Sequence, residues 1–136
     1  MNEDTRICLI SRWKLKDGLD ESLLDTLRLL AGQVEDAEPQ TLMYRVHLQS
    51  DYPLDGHFCP LDPPPPDVPL SEQTEVTFLE VYQNAEAFSR HVKGEVFNEF
   101  LTSTLKYFEE DPNRNGWPVT ATTFLDLQSG LVREGA

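Results

Sequence analysis

The sequence predicts an α+β fold of split βαβ topology, a four-stranded antiparallel sheet with its helices on one face. Three observations carry this expectation. Hydrophobic periodicity runs in the order β-α-β and then β-α-α-β, an order that closes an antiparallel sheet without crossed connections. A proline-rich segment separates the two halves. At 136 residues the chain can bury one self-sufficient core and is too short for a second complete one, so residues 1–136 are read as a single domain.

The first strand is expected over Arg6 to Leu15, where Ile7, Leu9, Ile10, Trp13 and Leu15 give at least one buried face. Asp17-Gly18 turns the chain. Leu19, Leu23, Leu27, Leu30 and Val34 then recur at spacings of three and four, which predicts a helix over Leu19 to Glu38. Ser22 with Asp25 resembles a capping box, and Pro39 ends the helix. Thr41 to Gln49 alternates, with Leu42, Tyr44, Val46 and Leu48 on one face of a second strand.

Seven of the ten prolines, Pro53, Pro60, Pro63 to Pro66 and Pro69, fall between Asp51 and Glu72. Such a run favours extended backbone and cannot donate to a sheet, so 51–72 is expected outside the regular core. At that length it is a lid, an arm on a partner subunit or an unstructured insertion. Glu75 to Tyr82 is the third strand, with Val76, Phe78, Glu80 and Tyr82 on one face and Thr77, Leu79 and Val81 on the other. Two largely apolar faces predict a central strand covered on both sides.

Asn84 is the expected N-cap of a short helix over Ala85 to Lys93, which Gly94 stops. A further helix is expected from Glu95 to about Glu109, then a loop, a last strand over Val119 to Leu127, and a frayed tail over 129–136. Helices cover one sheet face in this arrangement. The apolar residues left on the other predict a homodimer pairing sheet against sheet.

Bulk properties exclude several function classes. A net charge of -13 with no Lys/Arg cluster repels phosphate backbones and anionic lipid, so neither nucleic acid nor membrane is expected as a partner. The N-terminal Met-Asn-Glu-Asp-Thr-Arg lacks the basic-then-apolar order of a secretory signal, and no apolar run is long enough for a bilayer. A soluble, cytoplasmic protein is expected. Cys8 and Cys59 have no paired-ligand spacing and are read as free thiols. The three histidines are scattered, which predicts no metal site, and phosphate-loop and nucleophilic-serine motifs are absent.

Two residues stand out chemically. His91 shares a helix face with Ala87 and Phe88, and an imidazole titrates near neutrality, so it can serve as a general base without a metal. The alternative is a hydrogen-bonded core histidine. Glu80 lies among apolar neighbours on the predicted central strand; it must pair with Arg12, Arg45 or His91, or hold a raised pKa, and is either half of a structural ion pair or a catalytic base or histidine-orienting group. Trp13, Tyr44, Tyr82, Phe88, Phe97, Phe100 and Trp117 are candidates to line a pocket for a flat aromatic ligand, or else are ordinary core.

Taken together, Trp13-Lys14-Leu15-Lys16-Asp17-Gly18, Leu42-Met43-Tyr44-Arg45-Val46, and the run from Glu80 through Tyr82, Ala87 and Phe88 to His91 with Phe97 and Phe100 resemble the antibiotic biosynthesis monooxygenase (ABM) domain. The resemblance covers about Arg6 to Leu127, and the proline-rich insertion departs from it. It implies a ferredoxin-like dimeric α+β barrel. It also implies oxidation of a phenolic, quinol or polyketide-like aromatic by molecular oxygen without a cofactor, with His91 as base and Trp13, Tyr44 and Phe88 orienting the substrate. Haem degradation in other members uses an Asn, a Trp and a His where this chain has Ser11, His91 and Leu101, so the resemblance disfavours it. A non-enzymatic small-molecule-binding dimer and an isomerase or cyclase are the alternatives on the same fold.

Overall fold

Residues 5–133 are described by a computed structural model. Strands β1 (Ile7–Lys14), β2 (Thr41–His47), β3 (Glu75–Tyr82) and β4 (Thr120–Leu125) form one antiparallel sheet in the order β2-β3-β1-β4. That is the predicted split βαβ, ferredoxin-like arrangement. Helices α1 (Glu21–Ala37), α2 (Ala85–Lys93) and α3 (Glu95–Thr104) all pack on one face.

Register explains which face is buried. Leu9 pairs with Glu80, Ser11 with Phe78 and Trp13 with Val76, so these six side chains and Tyr82 point the same way, toward the helices. Leu23, Leu27 and Leu30 of α1 and Phe100 and Leu101 of α3 meet Trp13, Val76 and Phe78 in the main core. A smaller cluster of Leu9, Tyr82 and Ala87 continues it under α2. Each large side chain buried here contributes about 1.5–3 kcal/mol.

The cap of α1 differs from expectation. Asp20, not the Ser22–Asp25 pair, accepts the Leu23 amide at 3.0 Å, and Ser22 lies inside the helix. Asp20 is a stronger cap because its carboxylate also faces the positive end of the helix dipole. Its carboxyl is held below the usual range by the Leu23 amide and then by the Tyr107 hydroxyl. Before it, Gly18 has φ 70°, and a Cβ there would stand 2.6 Å from the carbonyl oxygens of Leu70 and Ser71. Only glycine allows the proline-rich segment to close against α1 at this point.

Strand β2 also departs from strict alternation. Thr41 pairs with Tyr82 and Met43 with Val81, leaving Leu42 as the extra residue of a β-bulge and 43% exposed. Tyr44 and Val46 keep the core side. The helix expected from Glu95 to Glu109 stops at Thr104, followed by a 3₁₀ turn over Leu105–Tyr107. The chain leaves the helix because its next backbone groups bond to the start of the β1 turn: Lys16 donates to the Tyr107 carbonyl at 2.9 Å, and the fully buried Phe108 bridges Leu15.

Residues 51–72 lie outside the sheet, as expected, but carry structure of their own. Leu54 bridges Pro60, and the Asp55 carboxylate accepts from the amides of His57 and Cys59. Buried Gln73 joins the ends of the excursion: its side chain accepts from the Gln49 amide at 2.8 Å and donates to the Gln49 carbonyl at 2.9 Å.

The strand expected over Val119 to Leu127 is shorter, Thr120–Leu125, and every residue of it is exposed. On the second face of β3, Thr77, Leu79 and Val81 are only half-buried among the described residues. Residues 129–133 of the expected tail form no helix or strand, and 134–136 lie outside the described residues. Cys8 and Cys59 are free. No helix among the described residues is long and apolar enough to cross a membrane.

Candidate functional site

The end of β3 and the first turn of α2 place the candidate site. The Asn84 side chain accepts the Ala87 amide at 2.9 Å and starts α2 one residue later. Ala87 and His91, one turn apart, become its buried face. Gly94 then ends α2 and begins α3, its amide bonded to the His91 carbonyl at 3.1 Å. A Cβ on Gly94 would approach the Arg90 carbonyl to 2.8 Å, so the tight junction that returns Phe97 over His91 needs a residue without one.

The His91 ring is 2% exposed and is enclosed by Tyr44, Tyr82 and Phe97, whose centroids lie 5.3, 5.4 and 5.3 Å away. Its two nitrogens have different surroundings. Nδ1 lies 2.8 and 3.1 Å from the two carboxylate oxygens of Glu38, the residue that caps the C-terminus of α1. A carboxylate only accepts, so Nδ1 carries the proton and Nε2 of the neutral ring is bare. Nε2 lies 3.9 Å from Oε1 of Glu80, beyond hydrogen-bond reach.

Of the donors expected for Glu80, Arg12 and Arg45 are not used. Both occupy the opposite sheet face, and Arg12 pairs with Glu75 at 3.8 Å. Tyr82 is the donor instead, its hydroxyl bonded to Oε1 of Glu80. Burial raises the Glu80 carboxyl above its usual range despite this bond and the neighbouring imidazole. Burial, reinforced by the charge of Glu80, also holds the Tyr44 and Tyr82 hydroxyls well above the ordinary phenol value. Both phenols therefore remain protonated.

Beside His91 opens a cleft of about 280 Å³ between the β1–β4 side of the sheet, α2 and the loop before β4. Trp13, Glu80, Phe88, His91, Phe97 and Trp117 line it, so six of the nine predicted site residues come together. The other three stand outside its lining. Tyr44 and Tyr82 stack around His91, while Phe100 lies in the core, 5.6 Å from Trp13. A larger cleft, about 590 Å³, opens beyond Glu38 among Gln40, Thr41, Arg90 and Glu95. It lacks aromatic walls.

Further lining and supporting residues escaped the sequence reading, Ser11, Arg114, Phe124 and Glu38 among them. Ser11 bonds Thr122 at 2.8 Å across the β1–β4 pair and accepts the Trp13 indole N–H at 3.1 Å, fixing that ring. A serine between Leu9 and Trp13 on a core-facing strand was the available signal. Arg114 covers Trp117 at 4.2 Å in a cation–π contact. Phe124 packs on Phe88 at 5.7 Å. Glu38 carried no local signal, because its partner is 53 residues away. Among the described residues, no group of three His, Cys, Asp or Glu is placed to hold a metal ion.

This geometry can be set beside known proteins. No curated protein sequence matches the chain. Several solved structures share its fold. PA3566 from Pseudomonas aeruginosa superposes with TM-score 0.59 at 19% identity, over 95% of this chain and 100% of its own. SnoaB, a cofactor-independent oxygenase from Streptomyces nogalater, gives 0.56 at 8% identity, covering 95% and 99%. A hydroxynitrile lyase from Passiflora edulis gives 0.55 at 9% identity, covering 93% and 99%. At such identities the likeness is one of fold, and that fold carries both an oxygenase and a lyase. The family model for antibiotic biosynthesis monooxygenase matches residues 6–103, well over half the chain, and the protein belongs to that family.

Proposed function

We propose that the protein is a cofactor-independent monooxygenase that oxidises a small phenolic, quinol or polyketide-like aromatic with molecular oxygen. The observation that carries this reading is the buried imidazole of His91, its bare Nε2 beside Glu80 on the wall of an aromatic-lined cleft. His91 takes the phenolic proton at Nε2. The resulting anion is electron-rich enough to pass one electron to oxygen, and the radical pair joins at the ring carbon as a peroxide. His91 returns the phenolic proton to the peroxide, and the O–O bond then breaks as the hydrogen on that ring carbon is lost with the OH group as water: one oxygen atom enters the product as a carbonyl and the other leaves as water.

The protein's share is orientation, exclusion of water and proton transfer. Trp13, Phe88, Phe97 and Trp117 are the stacking walls, and Glu80, which burial disposes to hold a proton, is the acid beside the base. Tyr44, Tyr82 and Phe100 support the ring and walls from the core. No cofactor enters this scheme. The reading includes a homodimer through the open sheet face, where Ile10, Leu79, Val81 and Met43 are apolar, and a cytoplasmic setting that keeps Cys8 and Cys59 reduced.

The test is oxygen uptake by the purified protein with a hydroquinone or anthrone, using labelled dioxygen. Expected is one labelled atom per product and its loss in His91→Asn. A second reading, proton transfer alone as in an isomerase or cyclase, is favoured by the acid and base sharing one wall. Product formed without oxygen uptake would select it and overturn the first.

A further inference from the structure

The far side of His91, away from the aromatic cleft, is held by Glu38. Glu38 closes α1, and its N–H completes the helix by bonding the Val34 carbonyl at 2.9 Å. Its carboxylate accepts from Thr41 Oγ1 at 2.8 Å as well as from His91 Nδ1 at 2.8 Å, both at Oε1, while Oε2 lies 3.1 Å from Nδ1. The side chain is 13% exposed, against 3% for His91. Glu38 lines the 590 Å³ cleft that Gln40, Thr41 and Arg90 bound, and His91 and Glu80 line the aromatic cleft instead. Carboxylate, imidazole and carboxyl thus run in line from one cleft to the other.

We propose that Glu38 is a positioning residue for His91, holding Nε2 bare toward the aromatic cleft and exchanging the Nδ1 proton with water in the rear cleft. The inference rests on the proposed role of His91 as base. A substrate ring seated in the aromatic cleft displaces water from Nε2, so a route behind the imidazole gives the proton an exit while the front is occupied. The step balances: the substrate O–H gives its proton to Nε2, Nδ1 gives its own to a Glu38 oxygen, and that oxygen gives it to water. Nothing is oxidised, and the reverse run returns the proton when water leaves the peroxide.

Every charged or titratable group facing the ring bears on its proton affinity. These are Glu38 from α1, Tyr44 from β2, Glu80 and Tyr82 from β3, and Arg114 at the mouth of the cleft. Arg90, on His91's own helix, faces the rear cleft. Glu38 is the one in direct hydrogen-bond contact, so removing its charge should weaken the imidazolium most.

The test is a nitrogen NMR titration of His91 in wild type, Glu38→Gln and Glu38→Ala, with oxygen-uptake kinetics on a quinol. In wild type the ring should be the Nδ1–H tautomer. Gln keeps an acceptor and preserves that tautomer but lowers the titration midpoint by about one unit or more; Ala loses the tautomer. Turnover in Glu38→Gln should fall about tenfold or more with KM unchanged and its acidic limb moved to lower pH, and formate should restore part of the turnover of Glu38→Ala. Unchanged tautomer, titration and turnover in both variants would overturn the proposal while leaving His91 as base. If wild type takes up no oxygen with any quinol, the oxidation reading fails, and the titration alone decides the role of Glu38.

Discussion

The Tyr82 hydroxyl donates to the carboxylate of Glu80, two residues earlier on the same face of β3, so a buried acid receives its donor from its own strand. Even so, burial leaves the Glu80 carboxyl raised. An acid whose folded pKa exceeds its unfolded value binds its proton more tightly in the native chain. Its contribution to stability is therefore full below the ordinary glutamate range and is lost as pH rises through the raised pKa. Glu80→Gln, which imitates the protonated form, should gain in melting temperature relative to wild type as pH rises above the ordinary glutamate range and through the raised pKa. Parallel melting curves at all pH values would contradict this.

His91→Asn keeps an amide N–H near the Glu38 carboxylate but has no basic nitrogen. With circular dichroism unchanged, turnover of an accepted quinol should fall by about 10² to 10⁴. Undiminished turnover would remove His91 from the role of base.

The two tryptophans should separate packing from binding. Trp13 touches the rings of Phe78, Phe97, Phe100 and Phe108 and is 5% exposed, so Trp13→Ala should cost about 3–5 kcal/mol in denaturant unfolding. Trp117 is half-buried on the cleft wall, and its Arg114 contact is worth about 0.5–1 kcal/mol. Trp117→Ala should stay folded and raise KM. Equal losses of stability would deny that distinction.

Leu79 sits at the middle of the open sheet face, opposite Ile10 and Arg45 on the flanking strands. A symmetric interface meets each substitution twice, so Leu79→Lys should weaken a dimer on the order of 100-fold or more, read by sedimentation equilibrium. Sedimentation as a dimer with unaltered affinity would place the interface elsewhere.

Much of this arrangement was legible in the chain. Spacings of three and four named the buried face of α1, and Asn84 and Gly94 bounded α2, because helix caps and amphipathic faces are local consequences of backbone geometry. Less local features were missed. The bulge at Leu42 depends on how β2 meets β3, and the end of α3 at Thr104 depends on where Phe108 finds a strand to bridge. Asp20 outcompeted the Ser22–Asp25 pair because its carboxylate also bonds Tyr107, a residue 87 positions away.

The sequence by itself determined the order of strands and helices, the split βαβ class, and the placing of His91 on the apolar face of α2 beside Phe88. Those follow from periodicity and residue chemistry, which short stretches of chain contain in full. Tertiary structure alone decided that Glu38 holds Nδ1, that Tyr82 and not an arginine serves Glu80, and that Phe100 belongs to the core rather than the cleft. Each depends on which side chains from distant segments are brought within hydrogen-bond or van der Waals reach, and only the folded packing of α1, α2 and α3 on the sheet sets those distances.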